Sequence, residues 1–400
     1  MSIGFSSRAL LSCCALGAVG MSALAPLPAA ALTGTGSGTP GPVSSQSPLL
    51  YGPGTQVRPR TGAPEVPYVS ALSWLVADAD TGDVLAAHDA HRPLPPASTL
   101  KTLFALTVLP ALPAGTRHTV RERELAGIGP GSSLVGVKEG LTYRVSDLWK
   151  GVFLHSGNDA VHVLAALNGG VETTVRRMQA KARQLGAFDT QVVSPDGYDA
   201  PGQVSSAYDL AVFGRAGLHN PDFARYCSLA ESTFPGDGAS YGIRNTNRLL
   251  TGADGVERYP GLIGIKNGYT SNAGNTLVAA ARHGGRTLVV TVMNPQEGGG
   301  LTVYEEARSL LDWGFDAAGR VAPVGSLLPE GSGVARSGPT ALPTTAPARR
   351  TKTRPTGRRR GRWRAPSVWG RARRSRWRCG CWADGRSGTD RPAARGAGRG

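Results

Sequence analysis

Runs with strand character stand at both ends of the central part of this chain and helical runs fill the space between them, an order that admits few architectures. Residues 71–77 read as a strand, Asp80-Thr81-Gly82-Asp83 has turn chemistry, and residues 84–88 read as the hairpin partner. At the far end residues 276–282 and 286–293 are two more strands joined by His283-Gly284-Gly285, a hairpin signal, and residues 301–313 follow as a helix that would cover the sheet. The middle, residues 147–230, is mostly helical, with candidate helices at 145–154, 159–167, 172–185 and 207–218 and no internal repeat. The pattern predicts an α+β fold, an antiparallel sheet flanked by helices with a helical subdomain inserted into it.

Residues 1–31 read as a secretory signal. Arg8 supplies the charged region, residues 9–24 the apolar stretch, and Ala29-Ala30-Ala31 the small-residue cleavage site. Leu10 to Cys13 imitates a lipidation box, but too few apolar residues precede Cys13. Pro26 and Pro28 close a run too short for a retained anchor. The chain is therefore expected outside the cytoplasm. Residues 32–66, rich in Gly, Pro, Ser and Thr, read as a linker, and the body is expected over residues 67–320. Of five cysteines only Cys227 falls in the body, so an exported domain of about 250 residues must stand on its core without an internal disulfide.

The net charge of +16 belongs to the end of the chain. Residues 341–400 hold 18 basic and two acidic residues, and the remaining 340 hold 26 of each. Four of the seven tryptophans also lie there (Trp363, Trp369, Trp377, Trp382), without apolar periodicity. Residues 321–400 are expected as an Arg-rich disordered tail whose composition from about residue 340 matches a GC-rich gene read out of frame. A weak contact of this tail with anionic cell-surface polymers is the functional alternative; nucleic acid is not an expected partner of an exported chain. No apolar run after Arg320 is long enough to span a bilayer.

The chemistry starts at Pro95-Pro-Ala-Ser98-Thr-Leu-Lys101, which opens an apolar run. A helix there stacks positions i and i+3, setting the Ser98 hydroxyl beside the Lys101 amine, a nucleophile beside a base. The chain has 38 arginines and six lysines, and none of the other five lysines has a serine three residues before it. A lysine retained against that bias fits a need for an amine that can lose its proton, which arginine cannot supply. The spacing alone also fits an ordinary serine cap on a solvated helix end.

Two further stretches bear on this. Leu154-His155-Ser156-Gly157-Asn158-Asp159 is a short turn between two helical runs, from which Ser156 and Asn158 project polar groups. Gly264-Ile265-Lys266-Asn267-Gly268-Tyr269-Thr270 is an extended run containing a second lysine. S-x-x-K, S-x-N and K-x-G in this order form the signature of penicillin-binding proteins and serine β-lactamases. With their flanks, ADADTGDVLAAHDAHRPLPPASTLK, LHSGNDAV and IKNGYTSNAGN, they resemble the low-molecular-mass D-alanyl-D-alanine carboxypeptidases of bacterial wall metabolism from about residue 67 to residue 313.

That resemblance implies the serine β-lactamase and penicillin-binding transpeptidase-like fold and a division of labour. Ser98 attacks the penultimate D-Ala carbonyl of a stem pentapeptide, Lys101 takes its proton, and Ser156 passes a proton to the leaving amine. Asn158 binds the substrate amide, and Lys266, Asn267, Gly268, Tyr269 and Thr270 form the substrate-binding strand. The backbone N–H groups of Ser98 and Tyr269 make the oxyanion hole. Burial among Leu100, Leu103 and Phe104 with Lys266 nearby would lower the Lys101 amine from about 10.4. β-Lactams would acylate Ser98. No cofactor or metal is implied, and a monomer is expected. At Asn267 the family usually has threonine, whose hydroxyl helps hold the substrate carboxylate; asparagine is bulkier but also donates.

The rival within this fold is a serine β-lactamase, but the E-x-x-L-N segment that serves deacylation in class A enzymes is absent between Asn158 and Lys266. The rival from another class is a non-catalytic, penicillin-binding wall sensor, which acylation without turnover would identify. Seven histidines include His155 and His162 but no H-E-x-x-H, so no metal site is expected, and His155 reads as a structural neighbour. Asp196 and Asp199 in SPDGYDAPG read as turn residues.

Overall fold

The computed structural model describes residues 47–329. A 3-10 turn at Pro48–Tyr51 precedes β1 (Thr55–Pro59), and β2 (Ala71–Asp78) and β3 (Asp83–His88) form the first hairpin. A 3-10 turn at Ala97–Leu100 runs into α1 (Lys101–Val108). The small ribbon of β4 (Arg117–Thr119) and β5 (Thr142–Arg144) leads to α2 (Val145–His155), α3 (Asn158–Leu167), α4 (Val171–Gln184), α5 (Ala207–Leu218) and α6 (Pro221–Cys227). A second ribbon, β6 (Glu231–Phe234) with β7 (Tyr241–Arg244), and the single turn α7 (Arg248–Thr251) return the chain to the sheet. There β8 (Leu262–Thr270), β9 (Gly274–His283) and β10 (Arg286–Pro295) are followed by α8 (Thr302–Ala317), β11 (Val321–Ala322) and β12 (Gly325–Ser326).

The main sheet has the order β11-β1-β3-β2-β10-β9-β8, with β12 also on β3, and every pairing is antiparallel. Strands β2, β9 and β10 read as nearly unbroken apolar runs because both of their faces are covered. Leu288, Val290 and Val292 of β10 pack with Ala307, Leu310 and Leu311 of α8, whereas Val289 and Met293 belong to the core shared with Phe213 of α5. Alternation is thus present, but both sides of it are hydrophobic.

α1 belongs to the second core and packs against α4 and α5. A helix apolar on every side is stable only when enclosed, and residues 101–105 are all buried. Lys101 is carried inside with them. The α-helix begins at Lys101 rather than at Ser98: Ala97 has φ 50°, and Ser98 occupies the tight turn in front of the helix.

Both expected borders of the body move outward. In the stretch read as linker, residues 55–57 pair with residues 86–88 of β3, and Leu50 is buried. Beyond residue 320, β11 pairs with β1 and β12 with β3. These pieces are held through backbone hydrogen bonds to a sheet edge, which apolar alternation does not report. The expected signal, residues 1–31, and the tail from residue 330 lie outside the described residues.

Candidate active site

Ser98 is placed by the turn before α1, Ser156 and Asn158 by the α2–α3 junction, and residues 266–270 by β8 at the end of the sheet. Lys101 Nζ donates to Ser98 Oγ at 2.7 Å and to the Asp196 carbonyl oxygen at 2.7 Å. With two acceptors engaged, the amine is held against the hydroxyl. Burial lowers Lys101 to about 8, while the carboxylates of Asp196 and Asp159 act to raise it.

The second lysine lies close enough for the two charges to act on each other. Burial and then the Lys101 charge push Lys266 well below its ordinary value. The two amines differ in the carboxylates around them. Lys101 has Asp196 and Asp159 near it, whereas no carboxylate acts on Lys266, whose Nζ donates to the Asn267 carbonyl at 2.7 Å.

Two glycines let the backbones close around the nucleophile. A Cβ on Gly268 would stand 2.6 Å from Ser98 N, so β8 passes directly beside that N–H. Gly197, at φ +82°, has no room for a Cβ either, which would fall 1.9 Å from the Ala97 carbonyl oxygen.

At the α2–α3 junction Ser156 adopts φ 57°, a left-handed helix cap that reverses the chain. Its Oγ is buried without a partner. Asn158 Nδ2 donates to Ser132 Oγ at 3.0 Å, leaving a buried Oδ1 without a donor. The Asp159 carboxylate accepts from the N–H groups of Val135, Gly136, Val137 and Ala160, and so pins the loop that carries Ser132. Two orphaned polar atoms within three residues of each other, at the junction that carries the second motif, leave hydrogen-bonding capacity for a ligand.

These walls enclose a groove of about 200 Å³ lined by Ser98, Ser132, Asn158, Tyr198, Asp199, Tyr269 and Thr270, among others. Tyr269 is 67% exposed at its rim. Thr270 lines the groove, but its hydroxyl donates to Asp199 Oδ1 at 2.7 Å and accepts the Ala273 N–H. Asn267 Oδ1 accepts from Thr246 Oγ1 at 2.9 Å.

Sequence reasoning passed over several residues that the structure brings here. Asp196 does close an Asx turn, accepting the Tyr198 N–H at 2.9 Å, but it is 2% exposed and its carbonyl anchors Lys101. Asp199 fastens β8 through Thr270 and the Asn272 N–H. His162 Nε2 lies 3.5 Å from Asp196 Oδ2. Burial would have been the signal for Asp196, and no pattern of spacing supplies it. His155 is exposed at the end of α2.

Comparison with known proteins gives a consistent picture. A family model described as D-alanyl-D-alanine carboxypeptidase matches residues 60–297. The chain is 42% identical over 269 residues to the D-alanyl-D-alanine carboxypeptidase DacB2 of Mycobacterium tuberculosis, covering 66% of this chain and 89% of that one. It is 36% identical to the D-alanyl-D-alanine carboxypeptidase DacD of Escherichia coli, covering 63% of this chain and 65% of the relative. A solved D-alanyl-D-alanine carboxypeptidase from Mycobacterium tuberculosis superposes with a TM-score of 0.62 at 40% identity, over 68% of this chain and all of that one.

Proposed function

The chain belongs to the D-alanyl-D-alanine carboxypeptidase family of serine-type hydrolases, and on that premise we propose that it removes the terminal D-Ala of peptidoglycan stem pentapeptides through an acyl-enzyme on Ser98. The observation that carries the reading is the Lys101 amine held 2.7 Å from Ser98 Oγ and lowered to about 8 by burial.

In this mechanism the neutral Lys101 amine takes the hydroxyl proton as Ser98 Oγ attacks the penultimate D-Ala carbonyl. The N–H groups of Ser98 and Tyr269 receive the developing oxyanion, worth about 3 kcal/mol per donor. The amide C–N bond breaks, Ser156 Oγ passes a proton to the departing amine, and D-Ala leaves. Water then hydrolyses the ester. The free Oδ1 of Asn158 suits an N–H of the substrate backbone. A β-lactam would acylate the same oxygen.

The two lysines divide the work through the substrate. A carboxylate arriving at Lys266 and Asn267 supplies the anion that Lys266 lacks and draws a proton onto it. The new positive charge then lowers Lys101 further, so the base is most available when substrate is bound. A stem-peptide substrate places the enzyme outside the cytoplasm, with residues 1–31 as the export signal. Among the described residues no helix is long and apolar enough to cross a membrane.

The test is release of free D-alanine from a peptide ending in D-Ala-D-Ala, with Ser98→Ala as control. Stoichiometric excess of D-alanine over enzyme, lost in the variant, is expected. No release by the wild type contradicts the proposal.

A further inference from the structure

Behind Lys101 stands a column of buried charge that the three motifs do not include. Asp196, whose carbonyl accepts from Lys101 Nζ, turns its carboxylate the other way: Oδ1 accepts from Ser194 Oγ at 2.8 Å and from the Tyr198 N–H at 2.9 Å. Oδ2 lies 3.5 Å from Nε2 of His162, a residue of α3 that is 7% exposed. The other ring nitrogen, Nδ1, is 3.2 Å from the Ala126 carbonyl oxygen. A carbonyl oxygen only accepts, so Nδ1 carries a hydrogen. The carboxylate facing Nε2 accepts as well, and the hydrogen bond from His162 is among the contacts that lower the Asp196 carboxyl. Lys101, Asp196 and His162 thus follow one another through the protein.

We propose that His162 is a positioning residue for acylation, holding the Asp196 carboxylate and offsetting its charge so that Lys101 can surrender its proton to act as the base for Ser98. The inference rests on the reading of Ser98 and Lys101 given above and assigns to that reaction a residue outside its motifs. An uncompensated carboxylate beside a buried lysine favours the protonated amine; with a ring N–H of His162 facing its far oxygen, it loses part of that pull. Burial acts to raise the Asp196 carboxyl, but the His162 hydrogen bond, the Lys101 charge, the Tyr198 N–H and the Ser194 hydroxyl outweigh it and hold the group well below the usual range. It therefore stays an anion that something must balance.

The other charged groups in reach are identifiable. Asp159 of α3 acts on Lys101, and Lys266 of β8 is coupled to it. On its outer side His162 borders a surface cavity of about 510 Å³ with His118, Glu124, Arg121 and Arg123, where Glu124 is bonded to His118 at 2.7 Å. The imidazole thus meets solvent through a different opening from the one that admits substrate.

The test is the pH profile of the second-order acylation rate with a fluorescent penicillin, on the full chain, for the wild type, His162→Gln and Asp196→Asn. The wild-type rate is expected to rise through about 8. His162→Gln should move the midpoint upward by about half a pH unit or more and slow acylation several-fold at neutral pH, and Asp196→Asn should move it downward. Opposite displacements support the proposal, because a purely structural role lowers the plateau and leaves the midpoint in place. Unmoved midpoints in both variants overturn it while leaving the serine chemistry standing. A wild type that is never acylated overturns both. If His162→Gln does not fold, His162→Asn takes its place with the same upward displacement expected, and Asp196→Asn remains the opposing arm, since it keeps the backbone carbonyl that receives Lys101.

Discussion

Thr246 Oγ1 donates to the Asn267 side-chain oxygen across 2.9 Å, an arrangement that leaves the Nδ2 end of that amide free. The Nδ2 end makes no hydrogen bond among the described residues and is not buried. Where the motif that this strand resembles implies a threonine hydroxyl, this chain presents an NH₂ donor. Asn267→Ala should raise KM for a D-Ala-D-Ala peptide about tenfold or more with kcat changed by only a few-fold, the loss of one hydrogen bond to a charged group. Thr246→Val should show a smaller change in the same direction and Thr246→Ser should restore the wild-type value. An unchanged KM in Asn267→Ala would remove the residue from substrate recognition.

The base must be neutral to work, so kcat/KM should climb with pH through about 8 and fall about tenfold per unit well below it. Lys101→Met should lower the acylation rate by about 10³-fold while Ser98 remains in place. A profile flat from pH 6 to 9 would remove Lys101 from that role.

Gly268→Ala tests the close passage of β8 beside the nucleophile. Its Cβ would stand 2.6 Å from Ser98 N and 2.7 Å from Thr276 Oγ1, so the strand must retreat from the proposed oxyanion site. Acylation should fall by about 10²-fold, the effect of one misplaced donor. Near-wild-type acylation would show that this N–H does not contribute.

Asp209, at the start of α5, is fully buried, with Oδ2 accepting from Thr190 Oγ1 at 2.6 Å and Oδ1 unpartnered. Burial and then the nearby Asp189 charge raise its carboxyl to about 7. The folded form therefore binds a proton that the unfolded chain releases near pH 3.9, as expected for a free Asp at about that value. Its contribution to stability is complete below about pH 4 and is lost as pH rises through about 7. Compared with Asp209→Asn, the wild type should lose as much as roughly 3–4 kcal/mol of unfolding free energy between those limits. Urea denaturation at pH 4, 5.5 and 7 measures this, and parallel curves would contradict it.

The sequence carried what periodicity and motif spacing encode. Helices α2 to α5 and the hairpin strands β9 and β10 follow their hydrophobic patterns, and Ser98, Lys101, Ser156, Asn158 and the Lys266 strand are announced by residue type at fixed separations. β1 was hidden because TQVRP has no apolar face and is held by backbone hydrogen bonds to β3. Asp196, His162 and Thr246 were hidden for another reason: each acts on a residue far away in the chain, and Asp196 reaches Lys101 through a carbonyl, a group every residue has.

The central claim is a covalent intermediate on Ser98 that turns over with peptide. Mass spectrometry of the protein quenched during reaction with a penicillin, and separately with a peptide ending in D-Ala-D-Ala, addresses it directly. The account predicts a penicilloyl adduct that maps to Ser98, is absent in Ser98→Ala, and persists while the peptide is cleaved with release of D-alanine. An adduct on another residue, or peptide cleavage that survives Ser98→Ala, would contradict it.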